Sequence, residues 1–277
     1  MLELHCHTTY SDGTLTPTAL VAAATQAGVQ ALAITDHDTL AGWSEALQAA
    51  ENTPLEIVPG VELSTVWNER SLHILGFYPN PAQLTPPLQE RVEGRKRRAQ
   101  KMIDKLANLG YAIEYPNLGA GIAPSRPHIA RALVKAGYVN SCQEAFARWL
   151  GDDGVAYVPY EKFTAVEGIQ LLRDCGAVPV WAHPFLFRGG KVEDILPELM
   201  AAGLLGIEVY HPAHTPTQIA QLEQICQDKK LLKTGGSDYH GPKEDGGVAE
   251  TRLNQFNLSL SLLAPLTEAA KNCRIKE

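Results

Sequence analysis

The sequence predicts an α/β protein built on a parallel sheet, with a barrel as the architecture and one helical insertion partway along. Three observations carry this expectation. Short apolar runs alternate with amphipathic helix patterns along most of the 277 residues. The alternation lapses between about residues 83 and 160, where only helix patterns occur. Histidines and acids fall at the ends of several strand-like runs. Repeated strand–helix alternation implies parallel pairing, and this many units suggests closure into a barrel.

In order, the strands are LELHCH at the start, ALAIT (31–35), LEIVPGVEL (55–63), SLHILGF (71–77), VPVWAH (178–183), GIEVYH (206–211) and LLKTGGSD (231–238). Each is short, apolar and rich in β-branched or aromatic residues. Helix ends are equally readable. Thr16-Pro17 opens a helix that Gly28 closes, Thr164 with Glu167 makes a capping box for one ending near Gly176, and TPTQIAQLEQICQDK forms a third. Within the insertion, residues 83–110 read as one long polar helix. Pro127 initiates RPHIARALVKAG, and SCQEAFARWLG carries a Ser141 to Glu144 capping box. The expected organisation is a first barrel part at 1–82, a helical cap at 83–160 and a second barrel part at 161–277.

Composition narrows the function classes. With 45% hydrophobic and 20% charged residues the chain is ordinary globular material. No apolar run reaches the ~20 residues of a membrane span, and nothing resembles a leader, so a soluble, cytoplasmic protein is expected. Five scattered cysteines without a CxxC read as reduced thiols. Net charge is −7, against a general nucleic-acid coat and without a DNA-binding module. Its distribution is uneven: residues 86–162 hold 12 Lys and Arg against 8 Asp and Glu, while the remainder holds 12 against 23. An acidic body with a basic middle suits a metal site served by a segment that grips an anion; a plain basic surface helix fits the same count.

The histidines supply the chemistry. His5 and His7 share one face of the first strand while Cys6 points away. Asp12 follows among turn-formers. Asp36, His37 and Asp38 end the second strand, Glu62 the third; His183, His211, and Asp238 with His240 follow later strands. His73 lies early in its strand, and placement alone does not explain it. In a parallel barrel strand C-termini open on one face, so these side chains converge. Mixed imidazole and carboxylate donors suit Zn, Mn or Fe rather than Ca or Mg. One catalytic ion takes about three protein ligands plus water, so this set implies two or three ions sharing a carboxylate.

HCH…D, TDHD, PGVE, HILGF, AHP and GGSDYHG, in that order, resemble the polymerase and histidinol phosphatase (PHP) family of metal-dependent phosphoesterases. The likeness covers residues 2–80 and 160–245. It implies a distorted (β/α)7 TIM-like barrel and a cluster of two or three divalent ions, Mn²⁺ favoured over Fe²⁺ or Zn²⁺. By resemblance, His5, His7, Glu62 and Asp238 would hold one ion. Glu62 would bridge to a second held by His73 and His183, and Asp12, His37 and His240 would hold a third. No lysine ends an early strand, which sets the chain apart from amidohydrolases with a modified-lysine bridge. Asp36 and Asp38 either orient ligand histidines or cap the following helix.

The insertion, with SRPHIARAL followed by AYVPYEKF, is similar to the branch acting on nucleoside 3′,5′-bisphosphates and on the 5′ ends of short RNA. Arg126, His128 and Arg131 near a helix start are the candidate phosphate-binding residues, although ordinary solvated side chains give the same pattern. His214 could contact phosphate or donate a proton. The expected catalytic set is therefore His240, His214 and Asp36, the substrate a small phosphorylated nucleotide or short RNA. The competing expectations are a phosphatase of another metabolite, such as histidinol phosphate, and a non-catalytic metal-binding module.

Overall fold

The computed structural model describes residues 1–119, 121–242 and 251–274. Its strands and helices run β1 (Leu2–Glu3), α1 (Pro17–Gln26), β2 (Ala31–Ile34), α2 (Trp43–Ala50), β3 (Glu56–Trp67) and β4 (Arg70–Phe77). Then come α3 (Pro81–Asn108), α4 (Arg126–Lys135) and α5 (Cys142–Ala145), which runs into a π-helical turn. The chain returns with α6 (Ala165–Asp174), β5 (Val178–Trp181), α7 (Val192–Ala201), β6 (Gly206–Tyr210), α8 (Pro216–Lys229), β7 (Leu232–Gly235) and α9 (Leu263–Arg274).

The seven strands neighbour one another in chain order. Past β7 the sheet meets its own beginning: Leu4 N donates to the Gly235 carbonyl at 3.2 Å and His7 N to the Tyr239 carbonyl at 2.9 Å. The barrel expectation stands, but the all-parallel one does not. β4 pairs antiparallel with both β3 and β5, since a two-residue hairpin turn at Asn68 and Glu69, both at positive φ, joins β3 directly to β4. A strand that returns by a tight hairpin has no crossover helix and must run backwards. Its first residues therefore lie at the face where the other strands end, which accounts for His73.

Local signals explain the helix ends. The Thr16 side chain caps α1 and Gly28 follows at φ +77°. Thr164 and Glu167 form the reciprocal capping box of α6. The box expected at Ser141 is half formed: Ser141 accepts from Glu144 N, while the Glu144 carboxylate turns to Asn140 N. Helices α6 and α7 cover the strands' outer faces, burying Leu63, Leu72 and Ile74 against Ile169, Leu172 and Ile195. Cys6, facing away from its flanking histidines, packs with Leu20, Ile34 and Trp43. The helices α3 to α5 have an apolar core of their own, including Met102, Leu106, Ile129, Leu133, Trp149 and Leu150.

Gly76 in β4 shows how closely α6 lies on the sheet: a Cβ there would come within 2.3 Å of Leu172 Cδ2. Leu172 is fully buried and cannot retreat into solvent. Gly76→Ala should therefore cost about 1–3 kcal/mol through overpacking, read as a lower urea midpoint with an unchanged slope.

Candidate metal centre

The strand ends and following loops bring the expected ligands together, and Glu62 on β3 lies at their centre. Its Oε2 is 3.4 Å from His5 Nε2, 3.2 Å from His7 Nε2 and 3.0 Å from His37 Nδ1. Its Oε1 is 2.9 Å from His73 Nδ1 and 3.1 Å from His183 Nε2. One carboxylate thus presents an oxygen to each of two groups of imidazoles. Burial alone would raise the Glu62 carboxyl, but His73, His37 and His5 hold it well below the usual carboxylate range.

Among the described residues, three groupings of donor atoms are close enough to hold an ion: His5, His7 and Asp238; His37, Glu62 and His73; and His7, Asp12, His37 and His240, within each of which the atoms lie within 4.8 Å of one another. His37 adjoins two of them, its Nε2 being 3.8 Å from Asp12 Oδ2. His183 meets Glu62 beside the second. The donors fit divalent ions by an independent criterion. His5 Nε2, His7 Nε2, His37 Nδ1, His73 Nδ1, Asp12 Oδ1 and Asp238 Oδ1 are buried without a hydrogen-bond partner, a costly condition unless a cation uses them.

On His5, His7, His73 and His240 the opposite ring nitrogen is occupied, which aims the remaining nitrogen inward. His5 Nδ1 meets Glu208 Oε1 at 3.0 Å, His7 Nδ1 meets Ser11 Oγ at 3.2 Å, His73 Nε2 meets Ser71 Oγ at 3.0 Å and His240 Nδ1 meets the Asp238 carbonyl at 2.8 Å. Glu208 was not singled out in the sequence, although a glutamate inside the apolar run GIEVY was its trace. It is fully buried, and its Oε2 also accepts from His183 N at 2.9 Å. That bond pins His183 in a left-handed conformation, φ +32°, rarely adopted by a side-chain-bearing residue.

Several expected roles change. Asp36 is not placed to act in catalysis: its oxygens accept from Thr8 N (2.7 Å), Thr8 Oγ1 (2.6 Å) and Ser11 Oγ (2.6 Å). It holds Ser11, which in turn meets His7, and orders the loop that carries Asp12. Asp38 neither orients a histidine nor caps a helix. It pairs with Arg91 Nε (3.0 Å) and Arg95 Nε (2.6 Å), anchoring α3 to the barrel. His214 donates Nδ1–H to the Val209 carbonyl (2.9 Å), and burial lowers its pKa, so its other nitrogen bears a lone pair and no proton to give. His211 is the reverse: Nδ1 accepts from Ala213 N at 3.1 Å, leaving Nε2–H directed toward Asp238 Oδ2 at 3.5 Å.

Of the substrate-binding candidates, Arg131 reaches the loop that carries Asp12, its Nη1 3.4 Å from the Asp12 carbonyl. Arg126 Nη1 is engaged by Asp152 (2.7 Å) and the Leu150 carbonyl (3.1 Å). His128 Nδ1 accepts from Ser125 N at 3.1 Å, completing the cap of α4, and burial pushes its pKa down to about 4. It is a neutral cap rather than a cation. Arg95 and Arg98 do not stand out in a sequence whose long helix reads as polar, and Tyr160 lies in the AYVPYEKF segment without a mark of its own. Arg98 is buried with its guanidinium 3.9 Å from the Tyr160 ring centroid. Burial would raise the Tyr160 phenol, but Arg95, Arg98 and Arg126 bring it below its ordinary value.

A seven-stranded barrel whose mouth gathers histidines and carboxylates around a shared glutamate defines a metal-dependent phosphoesterase of the PHP class. The chain belongs to the PHP domain family, whose model matches residues 3–140. It is 36% identical to the 5′-3′ exoribonuclease of Haemophilus influenzae, over 87% of this chain and 90% of that one. It is 31% identical to the 3′,5′-nucleoside bisphosphate phosphatase of Chromobacterium violaceum, over 88% and 89%. A crystal structure from Bifidobacterium adolescentis, assigned as a metal-dependent phosphoesterase, superposes with a TM-score of 0.84 at 32% identity, covering 97% of this chain and 96% of that one. No helix among the described residues is long and apolar enough to cross a membrane.

Two outcomes follow from this geometry. Glu208→Gln should weaken binding at two ion positions by roughly ten- to a hundredfold, since an amide cannot accept from both His5 and His183; competition against a chromogenic chelator would measure it. His128, with a folded pKa depressed to about 4, stabilises the fold fully above about pH 6.5 and progressively less as pH falls toward 4. Its ring resonance should accordingly remain that of neutral imidazole down to about pH 5 in an NMR titration.

Proposed function

We propose that the protein removes the 3′-phosphate of nucleoside 3′,5′-bisphosphates, adenosine 3′,5′-bisphosphate yielding AMP, with two to three divalent ions, Mn²⁺ foremost. One observation carries the reading: the acidic ligand cluster adjoins a concentration of guanidinium groups. Arg95 sits on Asp38, one residue past His37, and Arg131 touches the Asp12 loop. Such a surface suits a ligand with two separated anionic groups.

The residues divide the work. His5, His7, Glu62 and Asp238 would hold one ion; Glu62, His73 and His183, joined by His37, a second; Asp12, His37 and His240 a third. Bound there, the ions supply Lewis acidity to the phosphoryl oxygens and acidify water at neutral pH. Arg131, with Arg95 and Arg98 behind it, would hold the 5′-phosphate by charge-assisted hydrogen bonds. Arg126 contributes charge to the same region while anchored on Asp152. Binding energy spent on that remote phosphate positions the scissile one. His211 Nε2–H is aimed at the centre and is the better placed donor to an oxygen there than His214.

A 5′-phosphorylated short RNA presents the same pair of phosphates, and the similarity to the Haemophilus influenzae exoribonuclease supports it as a second substrate. Both readings predict that adenosine 3′,5′-bisphosphate is hydrolysed at least about tenfold more efficiently than 3′-AMP or histidinol phosphate, ~1.4 kcal/mol being one decade. Equal kcat/KM on 3′-AMP would remove the two-phosphate reading, and preference for histidinol phosphate would replace it. Arg131→Ala should cost about 1.5–3 kcal/mol in kcat/KM on the bisphosphate with little change on 3′-AMP.

A further inference from the structure

Below the ion ligands lies a carboxylate that the reaction does not use. Glu3 stands two residues before His5 on the first strand, in register with Leu32, while Leu2 and Leu4 on either side of it pack into the core with Ala31, Ala33 and Val58. It is 2% exposed. A carboxylate in such a place is costly unless hydrogen bonds replace its water. Glu3 finds them on one turn and one distant segment. Oε1 accepts from Ser237 N at 2.6 Å, Oε2 from Ser237 Oγ at 3.0 Å and from Asn254 N at 3.0 Å.

The turn it grips is the one that delivers Asp238. Gly236 approaches so closely that a Cβ would stand 2.4 Å from His5 N and 2.8 Å from Glu3 Oε1. Asp238 then adopts φ +51°, a conformation a side-chain-bearing residue holds only under constraint. In that conformation its Oδ1 is 3.4 Å from His5 Nε2 and 3.2 Å from His7 Nε2. The backbone of Tyr239 returns to the strand by donating to the His5 carbonyl at 3.3 Å. Glu3 therefore clamps the residue preceding Asp238, while the strand it belongs to carries Asp238's co-ligands.

We infer that Glu3 is a positioning residue for the ion held by His5, His7 and Asp238, setting the register between the first strand and the 235–238 turn. It acts through Ser237, and touches neither ion nor substrate. The inference rests on Asp238 being an ion ligand, and the experiment separates the two claims. Mn²⁺ binding is titrated calorimetrically into ion-free wild type, Asp238→Ala, Glu3→Gln and Ser237→Ala, with thermal unfolding of each.

Asp238→Ala should lose one ion; if it loses none, the ligand assignment fails and Glu3 loses its proposed object. Glu3→Gln keeps the size but replaces one acceptor by a donor facing an N–H, and should weaken one ion by about tenfold while the others bind as in wild type. Ser237→Ala, which removes a single hydroxyl bond, should weaken the same ion by a smaller factor and keeps the question open to test if Glu3→Gln does not fold. A Glu3→Gln protein that melts earlier yet binds every ion with wild-type affinity, or a Ser237→Ala protein with unchanged ion binding where Glu3→Gln is unfolded, would overturn the inference and leave Glu3 a purely structural residue.

Discussion

The mouth of the barrel depends on the attraction between one buried carboxylate and the imidazoles around it. Glu62 is 1% exposed and faces five histidines, three on one oxygen and two on the other. Such a group can remain ionised in the interior only if opposite charge or strong donors surround it. The histidines meet the same demand in reverse. Burial pushes His37 down to about 3, whereas His7, against its own desolvation, is raised to about 10 by Asp238 and Glu62. The cluster therefore holds groups whose protonation is set by one another, and a divalent ion, which would displace those protons, is the natural counterpart to the nitrogens and oxygens directed inward.

Around that centre runs a ring of outer partners: Glu208 on His5 and His183, Ser11 on His7 with Asp36 behind it on Ser11, Ser71 on His73. Each accepts from or donates to the nitrogen or amide that does not face the cluster. Their effect is to fix ring orientation before any ion arrives, so that binding energy is not consumed in ordering side chains. Backbone strain is kept in the same neighbourhood, at Asp38, His183 and Asp238, all at positive φ. Strained residues persist where the surrounding bonds over-determine them.

Much of this was legible in the sequence. Alternation of strands and helices pointed to the barrel, and the ends of those strands marked the histidines and acids that the fold brings together. The failure at β4 was informative. Periodicity marks a strand but not its direction, and only the shortness of the link through Asn68 and Glu69 shows that it must run antiparallel. With that, His73 reaches the mouth. Glu208 and Glu3 do not stand out because a single acid in a short apolar run reads as an interruption, while the partners that hold it lie elsewhere in the chain: 203 residues separate Glu208 from His5, and 234 residues separate Glu3 from Ser237. Arg91, Arg95 and Arg98 were read as one face of a polar helix, since composition does not say which side of a 28-residue helix meets a carboxylate.

That last pairing also explains how an acidic barrel and a basic insertion form one site. Asp38 is fully buried and carries two guanidinium groups from α3. Burial would raise its carboxyl, yet Arg91 and Arg95 hold it far below the ordinary range. A buried pair of this kind contributes little net stability relative to apolar packing, but removing one partner leaves a charge uncompensated. What it fixes is position. His37 precedes Asp38 in the chain, and Ser64, on the strand that carries Glu62, donates its N–H to Asp38 while both arginines reach its oxygens. The same bonds that dock the insertion thus connect its basic helix to His37 and Glu62, so the separation between the histidine–carboxylate cluster and the guanidinium groups is set by a short, buried chain of contacts instead of by a flexible hinge.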